Sequence, residues 1–199
     1  MLSKVKSHLT SVRSRMAVAA LLAAGSLAAG SSAFAAGLNP APPSDTMCKS
    51  TGSGTICRAT LTTSYAFPGE FACTQGFDID EEGNTERQVI YTYDRAGNLS
   101  KRVTRVTSLT GRFSNSVTGE SVEESGHFTI THDYLTPGDL STDQTTFDGV
   151  FAKVVLPGSG IVLQDAGTIV FSPDGNVPRE GGFHQLQYSD VTALCEALA

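Results

Sequence analysis

From residue 55 onward the chain is a succession of short runs rich in β-branched and aromatic residues, each closed by glycine, proline, asparagine or aspartate. Runs of that length and composition are strands, and the punctuating residues are those that turns require. The pattern predicts strands at 55–63, 71–78, 87–94, 99–109, 112–117, 126–134, 146–156, 161–172 and 182–188. Turn signals fall at Phe67-Pro68-Gly69, Glu82-Gly83-Asn84, Ala96-Gly97-Asn98, Thr136-Pro137-Gly138-Asp139, Pro157-Gly158-Ser159-Gly160 and Pro173-Asp174-Gly175-Asn176. Many strands with no helices between them make an antiparallel sheet of about eight strands, a barrel or a sandwich. Only the final stretch differs. Asp190 is placed to cap a short helix whose Val191, Leu194, Cys195 and Leu198 share one face.

Within the strands, the faces are not equally clear. Phe147, Phe151 and Val155 share one parity, and Val150, Ala152, Val154 and Leu156 the other. Apolar residues on both sides predict a strand covered outside by a helix or a second layer. Ile161, Leu163, Ile169 and Phe171 read the same way. Lys101, Arg102 and Arg105 alternating with Val103 and Val106 predict a half-solvated or edge strand.

The N-terminus reads as an export signal. Lys4, Lys6, Arg13 and Arg15 precede an apolar stretch at 16–29, and Ala33-Phe34-Ala35 supplies a small-x-small cleavage pattern. The expected organisation is a signal peptide at 1–35, an extended proline-bearing linker at 36–47 and one β-domain at 48–199, the protein being secreted after cleavage near Ala35. The apolar stretch falls short of the roughly 20 residues of a membrane span, so no stable membrane anchor is expected. Taking the segment's four basic residues from the chain's 14 leaves ten against 20 acidic ones. So acidic a surface excludes nucleic acid as a partner.

Four cysteines in an exported chain imply two disulfides among three possible connectivities. The turn-rich stretch between Cys48 and Cys57 favours that pair, leaving Cys73 to join Cys195. Paired C-x2-C spacing is absent, which argues against zinc.

On a strand at 126–134, His127, Thr129, Thr131 and Asp133 face one way and Phe128, Ile130, His132 and Tyr134 the other. With Phe128 and Ile130 turned inward, His132 and Tyr134 are the candidates for a proton carrier and a hydroxyl donor in a cavity, joined by Tyr91 and Tyr93. Asp78, Asp80 and Glu82, followed by Gly83 and Glu86, have the opening spacing of a calcium loop, but its twelfth position is Val89 instead of glutamate. An acidic hairpin loop is the alternative reading. No nucleophile elbow, phosphate loop or dinucleotide fingerprint occurs, and no cofactor is implied.

Tyr91-Thr-Tyr93-Asp94-Arg-Ala-Gly97-Asn98-Leu99 resembles one unit of the YD repeats of large secreted shell-forming proteins, without a second copy; a β-hairpin turning at Asp94 to Asn98 is its plain reading. The Tyr134-Leu-Thr-Pro137-Gly138-Asp139 turn, Leu156-Pro157-Gly158-Ser159-Gly160-Ile161-Val162, Asp165-Ala166-Gly167-Thr168-Ile169 with Asp174-Gly175, and the closing Leu194-Cys195-Glu196-Ala197-Leu198 resemble small secreted actinobacterial β-barrel proteins of the allene oxide cyclase-like and dirigent-like type. That resemblance covers about the last seventy residues and implies an eight-stranded antiparallel barrel with a cavity.

Three functions follow as expectations. The first is a non-enzymatic secreted barrel binding a small, partly apolar ligand in its cavity. The second is a cyclase or isomerase using the same residues, and the third a surface protein that docks partners along strand edges. The oligomeric state is left open.

Overall fold

The computed structural model describes residues 37–199; the expected signal peptide lies outside them. Eight strands follow one another: β1 Met47–Thr51, β2 Gly54–Ala72, β3 Asp78–Tyr93, β4 Leu99–Asn115, β5 Ser121–Tyr134, β6 Asp143–Leu156, β7 Gly160–Phe171 and β8 Arg179–His184, before one helix, α1 Thr192–Leu198. All pair antiparallel in a single sheet in the order of the chain. The fold is therefore all-β with a short C-terminal helix. No ladder joins β8 to β1 or β2 among the described residues, so the sheet is not closed, a curl that fits a barrel or a sandwich.

Four of the expected turns separate strands, and two do not. Pro68 and Gly69 sit inside β2, where they interrupt the register to β3 between Phe67 and Phe71. Glu82, Gly83 and Asn84 lie in the middle of β3. The segments read as 55–63 and the start of 71–78 are thus one long strand, and 99–109 and 112–117 join as β4. Turns absent from the expectation, at residues 73–77 and 116–120, take their place.

The buried face of the sheet, its inner face, carries two apolar clusters. At one end Phe71, Phe77, Ile79, Phe113, Ala152, Val154 and Leu163 pack with Val191, Leu194, Cys195 and Leu198 of the terminal segment. The helix buries the stripe its spacing dictates, but its N-cap is Val191 with no side-chain hydrogen bond, so Asp190 does not cap it. Cys73–Cys195 fastens it, and Asn115 Nδ2 donates to Leu198 O at 3.0 Å. At the other end Cys57, Tyr93, Leu99 and Tyr134 form the second cluster, with Leu38, Cys48 and Tyr91 against it. Residues of the stretch read as a linker dock here. Asn39 N donates to Gly97 O and Leu99 N to Asn39 O, both at 2.8 Å, and the Tyr93 hydroxyl donates to Pro40 O. Cys48–Cys57 ties β1 to β2 across a directly paired position.

A bulge corrects the reading of β6. Its register to β7 slips between Val150 and Ala152, which brings Ala152 and Val154 to the same side as Phe147 and Phe151. The apolar residues of both parities therefore serve one face, and Val155 and Ile161 are half exposed (53% and 52%) with no second layer over them. β4 is likewise no edge strand: it pairs with β3 on one side and β5 on the other. Lys101 faces outward to an ion pair with Asp133, while Arg102 points to the inner face.

Candidate functional site

Register builds the first site. Cys57, Tyr91, Arg102, His132 and Thr145 are directly paired in one row running from β2 to β6. Alternation then puts Tyr93 and Tyr134 on the same face two residues further along their strands. All four candidates, His132, Tyr134, Tyr91 and Tyr93, thus meet at one end of the inner face. The rings of His132 and Tyr134 lie nearly parallel, 6.4 Å apart.

His132 is buried and fully engaged. An Arg102 guanidinium N–H donates to its Nε2 at 2.8 Å, which leaves Nδ1 as the protonated nitrogen donating to Asp143 Oδ2 at 2.7 Å. Thr145 Oγ1 donates to the same carboxylate oxygen at 2.9 Å. The result is a chain of cation, imidazole and carboxylate in which the His132 ring joins the two charged groups. Arg102 Nε and Asp143 Oδ1, at its two ends, are buried without a partner. Burial raises the pKa of Tyr91 and Tyr134, and the nearby Arg102 pulls both back only in part. Tyr93 is raised by burial and by its two tyrosine neighbours. All three phenols are therefore proton donors at neutral pH.

Beside this row the inner face turns aromatic. Phe128, Phe151, Phe147 and Phe171 form a continuous file, with ring centroids 5.5, 6.3 and 5.8 Å apart in mostly edge-to-face contacts. Phe147 is buried, whereas Phe128, Phe151 and Phe171 are only partly covered although they face inward, as is Leu61 on β2. His184 stacks on Phe151 and is fixed by Asp165, whose other oxygen accepts from Leu186 N and Gln187 N.

A second row escaped the sequence. Tyr65, Gly83, Gly111 and Glu124 are paired across β2, β3, β4 and β5. The two glycines leave room for the Tyr65 hydroxyl to pass over both central strands and donate to Glu124 Oε2 at 3.1 Å. A Cβ at either glycine would stand 2.7 Å from that hydroxyl. Glu124 is buried, and burial pushes its pKa up to about 7 against the pull of the Tyr65 bond. Gly83 was the available signal, since a glycine inside a strand marks a close approach.

The calcium reading fails on conformation. Asp78, Asp80 and Glu82 lie on a continuous strand instead of a loop, Asp80 Oδ1 accepts from Gly69 N at 2.7 Å, and Glu82 pairs with Arg112. The same strand removes the acidic-hairpin alternative. Among the described residues no group of three or more His, Cys, Asp or Glu is placed to hold a metal ion. Asp94 to Asn98 do form the hairpin turn between β3 and β4, with Asn98 N donating to Asp94 Oδ1 at 2.8 Å. No described helix is long and apolar enough to cross a membrane, and the two disulfides fit an extracellular protein.

No family model, curated protein or solved structure matches this chain.

Proposed function

We propose that the protein is a secreted, non-enzymatic binder of a small, partly apolar ligand held on the inner face of its sheet. The observation that carries this reading is the file of phenylalanines. Rings that face inward yet stay partly open to solvent lose about 25 cal/mol for every Å² of apolar surface left uncovered, which a ligand recovers on binding. The polar row at its end supports binding over catalysis. As an acid–base catalyst His132 would need a free lone pair or a proton to give, and both its ring nitrogens are already taken by Arg102 and Asp143; burial makes the phenols hold their protons more tightly than free tyrosine. The tyrosine hydroxyls supply donors for a polar end group of the ligand.

The anionic dye 8-anilinonaphthalene-1-sulfonate and dodecanoate are suitable probes. Because the chain has no tryptophan, dye emission is read without interference from indole. Saturable enhancement that dodecanoate displaces, weakened about tenfold in Phe151→Ala, is the expected result. Absence of saturable binding by either probe, or equal affinity in Phe151→Ala, overturns the proposal.

A further inference from the structure

A cavity lies away from the phenylalanine file. It has a volume of about 800 Å³ and crosses β2 to β6. Strand alternation assigns most of its walls to the face opposite the inner one, and Tyr65 and Glu124 reach it across the two glycines. Ser64, Asn84, Thr110 and Ser125 bring hydroxyl and amide groups, and the backbone of Gly83 and Gly111 runs across it. Its outward charges balance: Glu82 and Glu123 stand against Arg112 and Lys153, Glu82 is already paired with Arg112, and the third carboxyl, the buried Glu124, accepts from the Tyr65 hydroxyl. That balance is local, for acidic residues outnumber basic ones by 20 to 14 over the whole chain. Val155 is the single aliphatic side chain in the lining.

We infer that this cavity binds a neutral, hydroxyl-rich ligand the size of a short oligosaccharide. Alternating donors and acceptors with balanced outward charge give no advantage to an anion or a cation, and the apolar surface beside Val155 comes from Tyr65, whose ring can cover the C–H face of a sugar while its neighbours meet the hydroxyls. Hydroxyl groups both donate and accept, so they match such a wall at every position. Ser64 Oγ donates to Asn84 Oδ1 at 2.8 Å, which orients the Asn84 amide and aims its two N–H donors away from the serine. The volume accommodates two to three pyranose rings, within the usual range of ligand pockets of about 300–1,000 Å³.

Titration of uniformly 15N-labelled protein with maltotriose, cellotriose and triacetylchitotriose tests the inference, followed through the Gly83 and Gly111 amides. At least one sugar is expected to shift both amides saturably, with a dissociation constant of about 1 mM or tighter. The double variant Asn84→Ala, Thr110→Ala should weaken that binding at least fivefold. Both positions are exposed, so the remaining spectrum should stay unchanged. No shift with any of the three at 50 mM overturns the inference, as does an unaltered constant in the double variant. Shifts produced only by spermidine or only by citrate overturn it in favour of a charged ligand.

Discussion

The Tyr65 hydroxyl reaches Glu124 across two intervening strands, donating to its carboxylate at 3.1 Å over a pair of glycines. A carboxyl buried among β-strands is held in its protonated form by the difficulty of ionising out of water. Its carboxyl stays protonated to about pH 7 in the folded chain, against 4.5 for an ordinary glutamate.

That difference sets a pH dependence. The unfolded chain loses this proton as pH rises through about 4.5, while the folded chain keeps it to about 7, so stability falls across that window and levels off above it. A shift of that size corresponds to roughly 3 kcal/mol. Glu124→Gln should therefore match the wild type at pH 4 and exceed it by about that amount at pH 8. Urea unfolding at the two pH values, followed by tyrosine emission, measures it.

Gly111→Ala should destabilise the fold by about 1–3 kcal/mol. Its Cβ would meet the Tyr65 hydroxyl at 2.7 Å and Glu124 Oε2 at 2.8 Å. Adding Tyr65→Phe removes the first obstacle, so the double variant should recover part of the loss. A double-mutant cycle with coupling near zero would contradict the contact.

His132→Ala should lower stability by about 2–4 kcal/mol, because it leaves the Arg102 guanidinium and the Asp143 carboxylate without the ring that joins them. His132→Gln, which can donate and accept in one side chain, should be milder. Thermal melts by circular dichroism rank the three proteins.

The two disulfides should contribute unequally. In the chain-entropy account a link spanning 122 residues stabilises by about 5 kcal/mol and one spanning nine by about 2.5 kcal/mol. Cys73→Ser with Cys195→Ser should thus lower the urea midpoint about twice as far as Cys48→Ser with Cys57→Ser.

What the sequence conveyed was local. Alternation alone put His132 and Tyr134 on one side of β5, and helical spacing alone named the stripe of α1, because each depends on a few consecutive residues. The partners of His132 were invisible. Arg102 and Asp143 come to it from β4 and from the start of β6, and only the pairing register decides that. Glu82-Gly83-Asn84 misled for the same reason: its glycine answers to Tyr65 on the neighbouring strand, not to a turn. Ala152 and Val154 read as the face opposite Phe147 until one inserted residue in the ladder is known. Met47–Thr51 was missed because a five-residue, mostly exposed edge strand has little apolar pattern to show.

The meander has a consequence for how the molecule assembles. Since every strand pairs with the one before it, the sheet can be laid down hairpin by hairpin as the chain emerges, with no strand waiting for a distant mate. The Cys73–Cys195 bond is the exception, joining the turn after β2 to the terminal helix. Assembly therefore divides into an early zippering step, within which the local Cys48–Cys57 bond can close, and a late sealing step that ties the chain's end to its first half. A cell that exports this chain into a reducing environment would obtain the sheet with its terminal helix held by packing alone.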